Sequence, residues 1–111
     1  HRNQVGKAHA TPSFAIGAPK AASFDPREFR VTCGTDIVPS FGFAISESSG
    51  FQVLRGQCNN APLGWARVAP RASGVALEAL SLRMATESDP VVAGVQLVNG
   101  QYLLSVWRYA P

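Results

Sequence analysis

The dipeptide Asn99-Gly100 constrains the fold of this chain more than any other feature of its sequence. Both residue types tolerate a positive φ, and such a pair between two β-rich runs is typical of the type I′ turn of a hairpin. The pair is preceded by Val95, Leu97 and Val98 and followed by Tyr102, Leu103, Leu104, Val106, Trp107 and Tyr109. The sequence therefore predicts a C-terminal β-hairpin.

Short alternating patterns recur upstream of this hairpin. An alternation of apolar with polar or small residues predicts half-buried strands, and Gly34 ends the first of them. The apolar positions are Phe29, Val31 and Cys33, then Phe41, Phe43 and Ile45, then Phe51 and Val53, with a further short strand over 65–68. About seven short strands with turns between them indicate an all-β fold, a small antiparallel sandwich or barrel.

The segment 74–87 admits a second fold class. Its Ala, Leu, Glu, Arg and Met residues favour a helix, and a helix here would give an α+β fold. Its charged residues would however be spread around most of a helix, leaving no apolar stripe. As a strand, Val75, Leu77 and Ala79 share one face, which is continued from Leu80 if a bulge lies at 78–79. We favour the strand.

Residues 1–27 differ from the rest of the chain in composition and in hydrophobic periodicity. They contain three prolines, many Ala and Ser and no sustained periodicity, which is typical of an extended or flexible arm. They also carry the whole net charge of +3, since 28–111 contains six Arg and six acidic residues. We therefore expect an N-terminal arm over 1–27 and a single neutral β-rich domain over 28–111.

The composition of this domain argues against several classes of function. Its arginines are scattered singly among acidic residues, whereas nucleic-acid binding needs cations gathered on one surface. It contains no His and no Lys, so it lacks the parts of a Ser-His-Asp site and of a P-loop. The longest apolar run, 91–95, is far shorter than the ~20 residues of a membrane span. We expect no enzyme, no cofactor, no nucleic acid and no membrane insertion.

Cys33 and Cys58 are the only cysteines, and 24 residues separate them. Closing a loop of this size restricts the unfolded chain by roughly 3 kcal/mol. A zinc site would need about four ligands, and both histidines, His1 and His9, lie in the arm, so no metal is expected. The alternative is two buried free thiols in a cytosolic protein. We predict a disulfide and, with it, a secreted or periplasmic protein.

A family resemblance covers about 20 residues. Gly64-Trp65, then Gly74, then the run Leu-Glu-Ala-Leu-Ser-Leu-Arg-Met over 77–84 resembles the clostridial hydrophobic repeat with a conserved tryptophan. The stretch between the Gly-Trp pair and the strand is shorter than in that repeat, and no second Gly-Trp pair is present. The resemblance implies an extracellular β module that binds carbohydrate or cell-surface ligands.

The candidate binding residues combine aromatic surface with planar cations and amides, the groups best suited to stack on a sugar or to anchor a protein partner. They are Trp65, Arg67, Asn59, Asn60, Tyr102 and Arg108. The first hypothesis is a secreted binding module for a glycan or cell-surface component. The alternative is a protein-binding factor, such as an inhibitor, an immunity protein or an assembly subunit, that uses its sheet edges and N-terminal arm. The partners considered are a glycan or cell-surface component, another protein, or further copies of the chain in a homo-oligomer.

Overall fold

The computed structural model describes residues 15–58 and 64–109. Within them the chain forms eight strands in two antiparallel sheets and no helix, so the predicted all-β class is confirmed and the alternative helix over 74–87 is wrong. The described residues contain no helix that could cross a membrane. Sheet A contains β1 (Ala21–Cys33), β2 (Asp36–Glu47), β3 (Gly50–Gln57), β4 (Gly64–Arg67) and β5 (Ala72–Ser73). Sheet B contains β6 (Ala79–Thr86), β7 (Asp89–Val98) and β8 (Gln101–Arg108).

Both sheets are built mainly from hairpins between consecutive strands. Sheet A has the order β1-β2-β3-β4, with β5 also paired to β3, and sheet B has the order β6-β7-β8. The predicted C-terminal hairpin is confirmed: Asn99 and Gly100 have φ values of 51° and 78°, and Val98 lies opposite Gln101. Strand β1 begins at Ala21, so it includes the last seven residues assigned to the arm.

The two sheets enclose one apolar core, as in a small sandwich. On β2 the small residues face this core, because Met84 from sheet B packs directly on Gly42, where a Cβ would lie 2.8 Å from its Sδ. The larger Phe43 lies on the opposite face of β2, against Phe24. The buried core residues are Phe29, Ala44, Phe51, Val53, Leu77, Leu82, Met84 and Val92.

The segment before β6 departs from the predicted pattern. The strand begins only at Ala79, and its irregularity lies between Met84 and Thr86, so the bulge predicted at 78–79 is not found there. Leu77 lies before the strand and is completely buried, and its N–H donates to Ser46 Oγ at 2.6 Å. The apolar pattern of this segment therefore reflects a core-filling connection followed by a strand.

The predicted disulfide is confirmed. Cys33 at the end of β1 is bonded to Cys58, which directly follows β3, and their Cα atoms are 5.2 Å apart. The bond connects the two strands that flank β2 and leaves no free cysteine in the chain. A disulfide of this kind is typical of proteins that mature outside the reducing cytoplasm.

Side chains of β1 occupy the outward edge of β6. The β1–β2 pairing is interrupted between Asp25 and Phe29. At this interruption the Asp25 carboxylate accepts a 2.6 Å hydrogen bond from the Met84 N–H, and Arg27 Nη1 donates to the Met84 carbonyl at 3.0 Å and to the Ala85 carbonyl. These bonds join the two sheets and satisfy backbone groups that an edge strand would otherwise expose.

The Asp25 contact predicts a loss of stability in acid. Hydrogen bonds from the backbone N–H groups of Met84 and Arg27 hold the pKa of the Asp25 carboxyl below its ordinary value of 3.8. Because the folded-state pKa is lowered, the ionised carboxylate stabilises the fold above pH 3.8, and this contribution is lost as the pH falls through the lowered value. We expect Asp25→Asn to unfold more easily than the wild type near neutral pH, with the difference shrinking below pH 3.8.

Urea unfolding of both proteins across the acid range measures this difference. Asp36→Asn is the matched control, because Asp36 is an exposed carboxylate in the β1–β2 turn region. A difference between Asp25→Asn and the wild type that persists unchanged in strong acid would contradict the assignment.

Candidate functional site

The structure divides the predicted binding residues between the two sheets. Trp65 and Arg67 lie on β4 of sheet A, whereas Tyr102 and Arg108 lie on β8 of sheet B. Trp65 and Arg67 are two positions apart, and Tyr102 and Arg108 are six positions apart. The two members of each pair therefore lie on the same face of their strand. Asn59 and Asn60 lie outside the described residues. The four predicted residues that the structure describes therefore lie on two separate surfaces.

The first surface is a row of aromatic rings on the face of sheet A that points away from sheet B. We call Phe24, Phe43 and Trp65 the aromatic row. The Phe24 and Phe43 ring centroids are 5.7 Å apart, and those of Phe43 and Trp65 are 5.3 Å apart at an interplanar angle of 79°. On the same face Arg67 Nε donates to Gln52 Oε1 at 3.3 Å. This surface offers ring area and a guanidinium, although its rings are mutually tilted.

The second surface is the face of sheet B that points away from sheet A. Tyr102, Leu104 and Val106 alternate along β8 on this face, with exposed fractions of 70%, 84% and 68%. Leu97 lies opposite Tyr102 on β7 and is 48% exposed. We call these four residues the apolar strip. Exposed apolar residues are normal when scattered, whereas a contiguous group of this kind marks an interaction surface.

Leu104 and Val106 are not among the predicted site residues, because they carry none of the aromatic, cationic or amide groups that define that set. The sequence nevertheless carries a signal for this surface. The run from Tyr102 to Trp107 contains only one polar residue, Ser105, so both faces of the strand are apolar. A two-layer fold covers only one face of each strand. An edge strand with two apolar faces therefore keeps one of them uncovered.

The open edge of β8 adjoins the apolar strip. In the described part of the chain, β8 pairs with β7 on one side, and no strand pairs with its other side. Arg108, at the end of β8, donates to Asp89 at the start of β7 through Nη2 at 2.7 Å and Nε at 3.3 Å. The hydrogen bond from Arg108 lowers the pKa of the Asp89 carboxyl, which keeps the pair ionised. The edge therefore ends in a neutralised ion pair.

A small apolar cleft lies between the sheets beside the end of β8. Its volume is about 210 Å³, and its walls include Phe51 and Val53 of β3, Val92 of β7 and Trp107 of β8. Trp107 packs against Phe51 with ring centroids 5.3 Å apart. Ligand pockets usually measure about 300–1,000 Å³, so this cleft suits a single bulky side chain better than a whole ligand.

The described residues offer no group of three His, Cys, Asp or Glu side chains that could hold a metal ion. Comparison with known proteins identifies no relative: no family model matches the chain, and neither a curated protein nor a solved structure matches it significantly. Function therefore has to be inferred from the two surfaces and the cleft.

Proposed function

We propose that this protein is a non-enzymatic binding protein that associates with another polypeptide through the open edge of β8 and the apolar strip. The observation that carries the proposal is the exposure of Leu104 and Val106, at 84% and 68%, on a strand whose outer backbone groups have no partner among the described residues. An incoming strand would gain main-chain hydrogen bonds from the edge and apolar contacts from the strip.

The contrast between the two edges of sheet B supports this proposal. The edge of β6 is covered by Asp25 and Arg27, whose side chains bond to its backbone groups. Proteins protect free edges in this way, or with lysine, proline or a bulge, because open edges recruit other chains. Strand β8 contains neither lysine nor proline, and its pairing with β7 is continuous from Gln101 to Arg108. We interpret this edge, which no described strand covers, as a binding surface.

The proposal includes a secreted or periplasmic location, which the Cys33–Cys58 disulfide supports. It also includes a role for the cleft beside Trp107. A cleft of about 210 Å³ next to the end of β8 would accept one large apolar side chain of the partner, in the manner of an anchor residue.

Recognition of a glycan or another cell-surface component is the second candidate function. The aromatic row favours it, because aromatic rings on an outer sheet face can stack on sugar rings, and Arg67 lies on the same face. The tilt of 79° between Phe43 and Trp65 argues against a flat platform, so we rank this function below binding through β8.

One experiment separates the two functions. The wild-type protein, Leu104→Lys and Trp65→Ala are each immobilised and probed with a phage-displayed library of extended peptides and with a glycan array. We expect the wild type to enrich peptides with alternating apolar residues, and Leu104→Lys to bind them at least about tenfold more weakly, since a lysine on an edge strand opposes pairing. Trp65→Ala should bind these peptides like the wild type.

Two results would overturn the proposal: no peptide enriched by the wild type immobilised as a monomer, or unchanged peptide binding by Leu104→Lys. Retention of the wild type on glycans, lost in Trp65→Ala and kept in Leu104→Lys, would establish the second candidate in its place.

A further inference from the structure

We infer that the partner of the β8 edge is a second copy of this chain, whose own β8 pairs with it antiparallel around a two-fold axis at Ser105. The inference rests on the proposed function and names its partner. It follows from the backbone register of the β7–β8 hairpin and from the order of side chains along β8.

The hairpin register fixes which backbone groups of β8 point outward. In a two-residue hairpin the residues flanking the turn, here Val98 and Gln101, form a hydrogen-bonded pair, and such pairs alternate along the ladder. Gln101 and every second residue after it therefore bond to β7. The N–H and C=O groups that point away from β7 belong to the residues between them, namely Tyr102, Leu104, Val106 and Arg108.

Three residues of the apolar strip also carry outward backbone groups. Tyr102, Leu104 and Val106 lie on the outer face of sheet B, because the alternate residue Trp107 packs inward against Phe51. A strand added at this edge thus bonds to the backbone of the same residues whose side chains are most exposed. The edge supplies hydrogen bonds, and the strip supplies apolar area on one side.

Strand β8 is complementary to itself in one antiparallel register. With Ser105 on the two-fold axis, Leu104 lies opposite Val106 of the second copy, and Tyr102 lies opposite its Arg108. Each of these pairs, and its symmetry mate, exchanges two hydrogen bonds between outward backbone groups. Ser105 then faces its own copy in a pair without hydrogen bonds, where the chains approach most closely and a small side chain fits.

The single charged residue of β8 favours the same register. Arg108 is the only charged residue of the strand, and it lies opposite a tyrosine ring instead of another arginine, an arrangement that a cation–π contact stabilises. Its guanidinium remains paired with Asp89 on its own chain, and its side chain is 65% exposed, so no unpaired charge is buried. Shifting the register by two residues in one direction would place Arg108 opposite Gly100, beyond the end of the second β8. Shifting it in the other direction would place Arg108 opposite Leu104, which offers no aromatic ring.

Sedimentation velocity on the full chain measures the predicted dimer. The monomer mass is 11.8 kDa, and we expect the wild type to sediment at about twice this mass as its concentration rises. Val106→Pro removes one outward N–H but no bond to β7, and proline is tolerated at such edge positions. We expect it to be monomeric. Val106→Thr keeps the N–H and the shape of the side chain, and it should still dimerise.

A charge pair tests the register. Leu104→Lys and Val106→Glu should each weaken dimerisation at least about tenfold. Mixed together they should form a heterodimer, because Lys at position 104 of one chain would lie opposite Glu at position 106 of the other, while the second Leu104–Val106 contact stays intact. A register centred on Leu104 would leave the two charges at diagonal positions, about 7–8 Å apart, and predicts a weaker rescue than the direct pairing does.

The outcomes distinguish this inference from the proposed function. A wild type that stays monomeric at its highest attainable concentration overturns the second copy as partner. The proposed function survives that result if extended peptides still bind at β8 and falls with it if they do not. A dimer that persists in Val106→Pro, or a mixture of charge variants that stays monomeric, also overturns the inference.

Discussion

Replacing Gly50 with alanine is expected to lower the free energy of unfolding by about 3 kcal/mol, because the new Cβ introduces both a steric overlap and backbone strain. Gly50 has a φ of 145°, where side chains are rarely accommodated. A Cβ built there would overlap the Ala72 carbonyl oxygen and lie 3.1 Å from the Ser73 Cα. Both neighbours are backbone atoms of β5, so neither can move aside by changing rotamer.

The structural consequence would be loss of the β3–β5 pairing. Strand β5 consists of two residues, and its whole register is Gly50 opposite Ser73 and Phe51 opposite Ala72. Thermal or urea unfolding compares Gly50→Ala with Gly17→Ala, where no atom lies within 4 Å of the added Cβ and the change should cost less than about 0.5 kcal/mol. Equal stabilities for the two variants would show that the backbone of β5 does not overlap a Cβ at position 50.

Truncating Leu77 to alanine should cost about 3 kcal/mol or more, since removing a fully buried leucine leaves a cavity as well as losing apolar burial. Leu77 has no exposed surface. It packs against Gly94 on β7, where a Cβ would lie 2.7 Å from Leu77 Cδ1. Its backbone is fixed by the bond to Ser46 Oγ of sheet A, so the side chain fills a space defined by both sheets.

Ile37→Ala is the matched control for Leu77→Ala, because it removes a similar side chain that is 60% exposed. We expect this control to change stability by less than about 0.5 kcal/mol. Chemical denaturation gives both values. A small effect of Leu77→Ala, close to that of Ile37→Ala, would mean that the segment before β6 can collapse onto β7 and fill the space.

The candidate site was only partly predictable. The sequence predicts Tyr102 and Arg108 as binding residues, and the structure places both on β8. It predicts Trp65 and Arg67 as members of the same set, but they lie on the other sheet, because the sequence does not state which strands become neighbours. Leu104 and Val106, the residues on which the proposed function depends, look like ordinary core residues until the strand order places them at an edge.

The sequence by itself determined the local features of this protein. The turn at Asn99-Gly100, the hairpins before it and the strand character of most of 79–86 depend on φ preferences and on the alternation of neighbouring residues, which short segments express unaided. The pairing of Cys33 with Cys58 was predictable because no other cysteine is present.

The tertiary structure alone decided which face of each strand is buried and which edge stays open. Gly42 faces the core because Met84 of the other sheet needs the space, and Leu77 is buried without belonging to a strand. Likewise, the edge of β6 is closed by Asp25 and Arg27 while that of β8 is open in the described chain. Burial and edge protection depend on contacts between residues distant in sequence. An alternation with a period of two shows that the two faces of a strand differ, but it does not show which face packs against another sheet.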